Sequence, residues 1–170
     1  DTSLVLTASG NDHIDIAIDT FLVTFTADTN WNGYEDIVFT IDDQNLRFTD
    51  SDTIRINVLA VNDAPVADAS AFNVSEDSVY THQLTGSDGD TYNTDADDQA
   101  LTFAVINNAI HGDLEIDTLT GDVTYTPNDN YNGTDSLQFQ VTDNGQTSGS
   151  ADPLSDTASV IIIVQPVNDA

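Results

Sequence analysis

The feature that most constrains this chain is that it contains one stretch twice. "DTFLVTFTADTNWNGYEDIVFTIDD" (19–43) lies beside "DTLTGDVTYTPNDNYNGTDSLQFQVTD" (117–143). Trp31-Asn32-Gly33 matches Tyr131-Asn132-Gly133, and Phe39 matches Phe139, at a constant offset of 100. "TIRINVLAVNDA" (53–64) matches "SVIIIVQPVNDA" (159–170) at an offset of 106. A long, ordered match at a nearly fixed period marks tandem units. Each copy ends in the peptide Val-Asn-Asp-Ala, and the first continues into Pro65.

Within the copies the apolar period is two. Ile37, Phe39 and Ile41 alternate with polar residues, as do Leu137, Phe139 and Val141. Ile54, Ile56 and Val58 repeat the pattern, and Val160, Ile162 and Val164 echo it. Such alternation in Val, Ile, Thr and Phe denotes half-buried strands. Turn signals punctuate them at Asn32-Gly33, Asp88-Gly89, Asn132-Gly133 and Asn144-Gly145. No helical stripe is present. Short strands with turns every 8–12 residues or so predict an all-β chain of tandem antiparallel sandwiches, about 100 residues per domain. The second copy, 62–170, fits that length. Seven strands are predicted there, over 70–75, 79–84, 100–106, 112–117, 121–126, 135–142 and 157–165.

The first copy, 1–61, is short. Ile18 aligns with Ile116, yet 54 residues of copy two precede that point and only 17 of copy one. The shortfall of 37 residues equals about two strands with their loops. The first domain is therefore expected to lack its N-terminal strands, which leaves unpaired edges and an open core. Truncation inside a domain, strands supplied by another chain, and an abbreviated five-strand sandwich all remain open at this stage.

Charge bounds the partners. The chain carries 30 Asp plus Glu against 2 Lys plus Arg, a formal net charge of -28. A small soluble domain usually carries roughly 2–8 charges. Self-repulsion at this level opposes compaction unless cations offset it. No basic surface exists to displace counterions from phosphates, which excludes nucleic acid and anionic membrane as partners. Cysteine is absent, so neither disulfides nor thiolate metal sites form. Lysine is absent too, which rules out Lys–Asn isopeptide cross-links. No apolar run approaches the ~20 residues of a membrane span.

The pattern NxNGxDxxxFxVTD, followed by a strand and "VNDAPV" (61–66), resembles the bacterial cadherin-like and Ig-like tandem repeats. These occur in very large secreted or surface-attached proteins, among them RTX-type adhesins. The resemblance covers nearly the whole chain except the first 17 residues. It implies a structural extender module of a long extracellular protein at the bacterial surface, with neighbouring repeats as partners. It also implies Ca²⁺ at the interdomain linkers, which would stiffen the array. Under this resemblance "VNDAP" is the joint between successive domains.

Calcium takes six to eight oxygens at 2.3–2.6 Å, so loops must converge on it. For the central joint the resemblance implies Glu35 and Asp36, in the turn before the penultimate strand of the first domain, and Asn62 and Asp63 from the linker. From the second domain it implies Asp95 and Asp97 in "TDADDQ", with Asp98 in reserve, and Asp143 after the sixth strand. A distal half-site, belonging to a joint with a further domain, would use Glu76, Asp135, Asn168 and Asp169. Against this stands a plainer reading, since Asp and Asn also favour turns through local hydrogen bonds. The pair Asp88 and Asp90 is assigned to that plainer class.

Catalysis finds no support. No GxSxG elbow occurs, and the three histidines, His13, His82 and His111, have no second His at metal spacing. Trp31 and Tyr131 hold equivalent places before the Asn-Gly turns, which suits packing plugs at the sandwich ends. Two alternative functions remain. One is a carbohydrate-binding module, which needs an aromatic row drawn from Trp31, Tyr34, Tyr80 and Tyr92. The other is self-association into a filament, with the incomplete domain accepting a strand from its neighbour.

Overall fold

The computed structural model describes residues 4–44, 48–88 and 100–168. The chain divides into two compact units, Asp1–Val61 and Asn62–Ala170. Among the described residues every regular element is a strand.

The first unit holds β1 (Leu4–Ser9), β2 (Ile14–Asp19), β3 (Leu22–Ala27), β4 (Gly33–Asp43) and β5 (Phe48–Val58). One antiparallel sheet runs β1-β4-β5, and β2 pairs with β3 as a hairpin. The hairpin turns through Thr20, at φ 58°. Phe25 of β3 meets Phe39 of β4 edge to face, with ring centroids 6.2 Å apart, so the inner faces of the two sheets touch. Among the described residues of this unit the buried apolar ones are Ile14 and Ile37.

The second unit adds β6 (Val66–Ala67), β7 (Ser70–Ser75), β8 (Tyr80–Gln83), β9 (Gly86–Ser87), β10 (Thr102–Asn107), β11 (Gly112–Ile116) and β12 (Asp122–Pro127). It ends with β13 (Gly133–Thr142), β14 (Gln146–Thr147), β15 (Ser150–Ala151) and β16 (Ser155–Gln165). A four-stranded sheet runs β10-β13-β16-β7 and faces a three-stranded sheet β11-β12-β8. Among the described pairs, β7 on β16 is parallel and the others are antiparallel. Alternate residues point inward: Leu137, Phe139 and Val141 from β13, Val160, Ile162 and Val164 from β16, and Val123 and Tyr125 from β12. Each such side chain contributes about 1.5–3 kcal/mol when fully buried.

The sequence repeat is a structural repeat. Strands β1 to β5 hold the places of β10, β11, β12, β13 and β16, with the same pairing. Nothing among the described residues of the first unit holds the places of β7 and β8. The effect on the core is direct. Ile54 is 38% exposed, whereas its counterpart Val160 is 0%. Phe25 is 37% exposed, whereas Tyr125 is 0%.

Candidate metal centre

At the head of the second unit, Asn62 is drawn into the domain that follows it. Its backbone N–H donates to Thr147 Oγ1 at 3.0 Å. Its side-chain Nδ2 donates to the Asp152 carbonyl at 2.8 Å and to Asp143 Oδ1 at 3.2 Å. Gly145 permits this close approach, because a Cβ there would overlap the Asn62 amide. Asp143 sits just beyond β13, and its Oδ1 also accepts the N–H groups of Gly145 (3.1 Å) and Leu154 (2.9 Å). Thr147 in turn donates to Asp152 Oδ2 at 2.7 Å.

This network uses both Asn62 amide hydrogens and one Asp143 oxygen. Two oxygens are left over. Asn62 Oδ1 and Asp143 Oδ2 are buried and have no hydrogen-bond partner, and the residues are 5% and 4% exposed. Buried acceptors are seldom left unsatisfied, because desolvation costs about 1–3 kcal/mol each, more for a charge. Carboxylate and amide oxygens of this kind are ligands for a hard cation such as calcium. Asp63 follows on the linker and is half-buried. Asp95 and Asp97 lie outside the described residues, as do Asp98, Asp90 and Tyr92. Among the described residues no three His, Cys, Asp or Glu side chains come together as a metal-binding group.

In the first unit, Glu35 and Asp36 lie inside β4 rather than in the turn before it, so strand alternation sends them to opposite faces. Glu35 is buried, and its Oε1 accepts the backbone N–H groups of Asp12 (3.0 Å) and His13 (2.6 Å). Its Oε2 is buried without a partner. Asp36 faces outward and forks onto Arg55, with Nε–Oδ1 and Nη2–Oδ2 both at 2.7 Å. The Arg55 hydrogen bond holds the Asp36 carboxyl below its usual pKa.

Asp135 occupies the Glu35 position of the second unit and is saturated. Its oxygens accept the N–H groups of Ile110 (3.1 Å), His111 (2.8 Å) and Ser136 (2.9 Å), and the Tyr125 hydroxyl (3.0 Å). Burial pushes its pKa up, but the His111, Ile110 and Ser136 amides and the Tyr125 hydroxyl outweigh that and leave it lowered. Burial, then the Asp135 bond, raises the Tyr125 phenol strongly. The first unit has Phe25 where Tyr125 stands, so Glu35 has no such hydroxyl donor. Nearby, Glu76 is buried and its Oε1 accepts the Val167 N–H at 2.7 Å, at the end of the sheet where β16 finishes. Asn168 is exposed, and Asp169 lies outside the described residues.

The described aromatic candidates each stack locally within their own unit. Trp31 stacks on His13 (5.1 Å) and Tyr131 on His111 (4.1 Å), the same packing in each unit. Tyr34 lies under Arg55, and Tyr80 stacks on Phe72. The residues that sequence reasoning missed are Thr147 and Asp152. Their only signal is an ST- and Asp-rich loop like many others in this chain.

Comparison with known proteins places this geometry in a family. The bacterial cadherin-like domain family matches residues 62–166. No curated protein matches the chain. Among solved structures, the protocadherin gamma B7 extracellular cadherin domains 1–4 superpose with a TM-score of 0.66 at 21% identity, over 99% of this chain and 42% of that one. Human protocadherin-24 EC1-2 gives 0.66 at 15% identity, over 96% of this chain and 82% of that one. Mouse cadherin-23 EC22-24 gives 0.66 at 16% identity, over 98% and 55%. At these identities the likeness is one of fold, and this chain spans less than half of the protocadherin gamma B7 structure. With the family matched over most of its length and cadherin domains as its structural likenesses, the chain belongs to the bacterial cadherin-like domain family.

Proposed function

We propose that the chain is a structural extender, a cadherin-like repeat of a long secreted or surface-attached protein whose joints are stiffened by calcium. One observation carries the calcium half of this reading: the unpartnered, buried pair Asn62 Oδ1 and Asp143 Oδ2 beside the linker peptide. Bound calcium would supply positive charge and a coordination shell for those oxygens. Asn62 and Asp143 would hold it, with Asp63, Asp95 and Asp97 as the further carboxylates implied by the resemblance. Glu35, with one unpartnered oxygen, is the first unit's candidate ligand.

The chain's own residues explain why such a ligand would act on the linker. Asn62 is the linker's second residue and is tied into the second unit by three hydrogen bonds. Cation binding at its Oδ1 would fix it further and offset part of the net charge of -28. Extracellular calcium modules bind at roughly 10⁻⁴–10⁻³ M. Stabilisation follows RT ln(1 + [Ca]/Kd), about 2.7 kcal/mol at a hundredfold excess over Kd. Melting and X-ray scattering of the full chain test this reading. Calcium should raise the melting temperature and narrow the spread of particle dimensions, and EDTA should reverse both. Curves unchanged by EDTA remove calcium from the account and leave the extender alone.

A further inference from the structure

Two Asn-x-Ser/Thr triplets lie in the second unit, Asn73-Val74-Ser75 and Asn132-Gly133-Thr134. Such a triplet is an acceptor for N-linked sugar when it is exposed. In β7 strand alternation puts Ser75 on the same face as Asn73, and both point outward. Asn132 is exposed in the turn that enters β13. The Tyr131 hydroxyl pins that turn by donating to the Thr134 carbonyl at 2.9 Å. Thr134 is exposed as well.

The sheet register brings the two triplets to one place. Thr134 pairs with Ile163 from one side, and Asn73 pairs with Ile163 from the other. Two residues along β16, Ile161 lies between Ser136 and Ala71. Ile161 is 49% exposed and Ile163 41%. Both face away from the core that Val160, Ile162 and Val164 fill from the same strand. The solvated face of such a sheet is ordinarily polar. Here it is also uncharged. The outward positions of β7 from Ala71 to Ser75, of β13 from Thr134 to Gln140 and of β16 from Thr157 to Gln165 hold no acid or base. The chain as a whole carries 30 Asp plus Glu.

The first unit shows the contrasting case. Its matching positions hold Arg55 for Ile161, Asn57 for Ile163, Asp36 for Ser136 and Tyr34 for Thr134. Arg55 forks onto Asp36 and lies 4.2 Å from the Tyr34 ring centroid. With Tyr34 in place of a hydroxyl residue, Asn32-Gly33-Tyr34 is no acceptor. Where the acceptor triplet is missing, the sheet face is covered by its own polar and aromatic side chains. Where the triplets stand, the face is bare isoleucine.

We infer that Asn73 and Asn132 carry N-linked sugar, which lies over Ile161 and Ile163. The donor is a sugar with a diphosphate leaving group. The side-chain amide nitrogen attacks the anomeric carbon, a C–N bond forms and the C–O bond to phosphate breaks. The diphosphate departs, and the amide gives up one proton. The C–H faces of the sugar rings cover the isoleucines, and their hydroxyls face water. An uncovered apolar patch invites association, so the sugar keeps this uncharged face from sticking to the same face of another copy.

Mass spectrometry of intact glycopeptides, on the chain recovered from the cell that makes it, tests the assignment. Sugar should appear on Asn73 and Asn132 and not on Asn32. A ladder of single-sugar additions marks a nucleotide-linked donor, and one preassembled block marks a lipid-linked donor. Ser75→Ala and Thr134→Ala keep each asparagine and remove its neighbouring hydroxyl. Each should lose the sugar at its own asparagine and retain the other, and Ser75→Thr should retain both. Circular dichroism of these variants should match the parent, because both side chains are exposed. Enzymatic removal of the sugar should raise self-association several-fold in sedimentation, and Ile161→Thr with Ile163→Thr should abolish that rise. Bare asparagine at either position overturns the proposal, as does sugar that survives loss of the hydroxyl. A trimmed chain that associates no more than the glycosylated one overturns the covering role. None of these outcomes depends on calcium.

Discussion

Asn62 reaches across 81 residues of sequence to place its side-chain nitrogen 3.2 Å from Asp143 Oδ1, and both residues keep one buried oxygen unpartnered. This contact makes the linker's Asn part of the second unit's interior. It also fixes which atoms remain to bind a cation. The amide donates through both hydrogens and the carboxylate accepts through one oxygen, so the leftover pair is acceptor-only.

Asp143→Asn separates the two roles of that carboxylate. The Asn retains an Oδ1 acceptor for the Gly145 and Leu154 amides and loses the charge. Without calcium its melting temperature should stay within a few degrees of the parent. The calcium-induced rise should shrink by more than half. Differential scanning calorimetry in EDTA and in calcium reads both values.

Gly145→Ala tests the linker latch itself. A Cβ at this position would overlap the Asn62 amide, and overpacking of this kind costs about 1–3 kcal/mol. Urea unfolding of the second unit should show a midpoint shift of that size. The calcium response should weaken with it, because Asn62 must move away.

Asp135→Asn should destabilise the second unit by about 2–3 kcal/mol at pH 7, since the Asn amide would face donors where the carboxylate accepted them. The pH dependence has a definite sign. The folded-state pKa of Asp135 is lowered, so its contribution is fully present above the unfolded value of about 3.9. That contribution is lost as pH falls through the lower folded value. The gap between parent and variant should therefore close below about pH 4. Unfolding free energies measured from pH 2 to 7 check this.

The open side of the first unit predicts unequal stabilities. Ile162→Ala in the filled core should cost about 2–4 kcal/mol. Ile54→Ala, at the matching edge, should cost roughly 1 kcal/mol or less, because Ile54 is 38% exposed already. Hydrogen exchange should show β13 and β16 opening more slowly than β4 and β5.

Much of the fold was legible because one face of each strand is buried. The alternation at Leu137, Phe139 and Val141 predicted a strand over 135–142, and β13 is Gly133–Thr142. The two-residue ribbons β6–β9 and β14–β15 were not legible, since so short a pair carries no alternation. Nor was the parallel sense of β7 on β16, because pairing direction leaves no mark on an apolar pattern.

The candidate site was legible only in part. Asn62 and Asp143 stood out by their linker and strand-end positions, but the partition of their four side-chain polar atoms is a matter of geometry. Glu35 and Asp36 are neighbours in sequence, yet a strand sends neighbours to opposite faces. The difference between Glu35 and Asp135 turns on Phe25 against Tyr125, a hydroxyl ten residues away that no spacing rule flags.

The most direct measurement is a calcium titration of the full chain followed through the Asn62 side-chain amide signals in nitrogen-15 NMR. The account predicts saturable shifts of those two amide protons and of the Asp143 backbone signal, with a midpoint near 10⁻⁴–10⁻³ M. Signals at Asn62 and Asp143 that stay fixed up to about 10 mM calcium, well past that range, would contradict it.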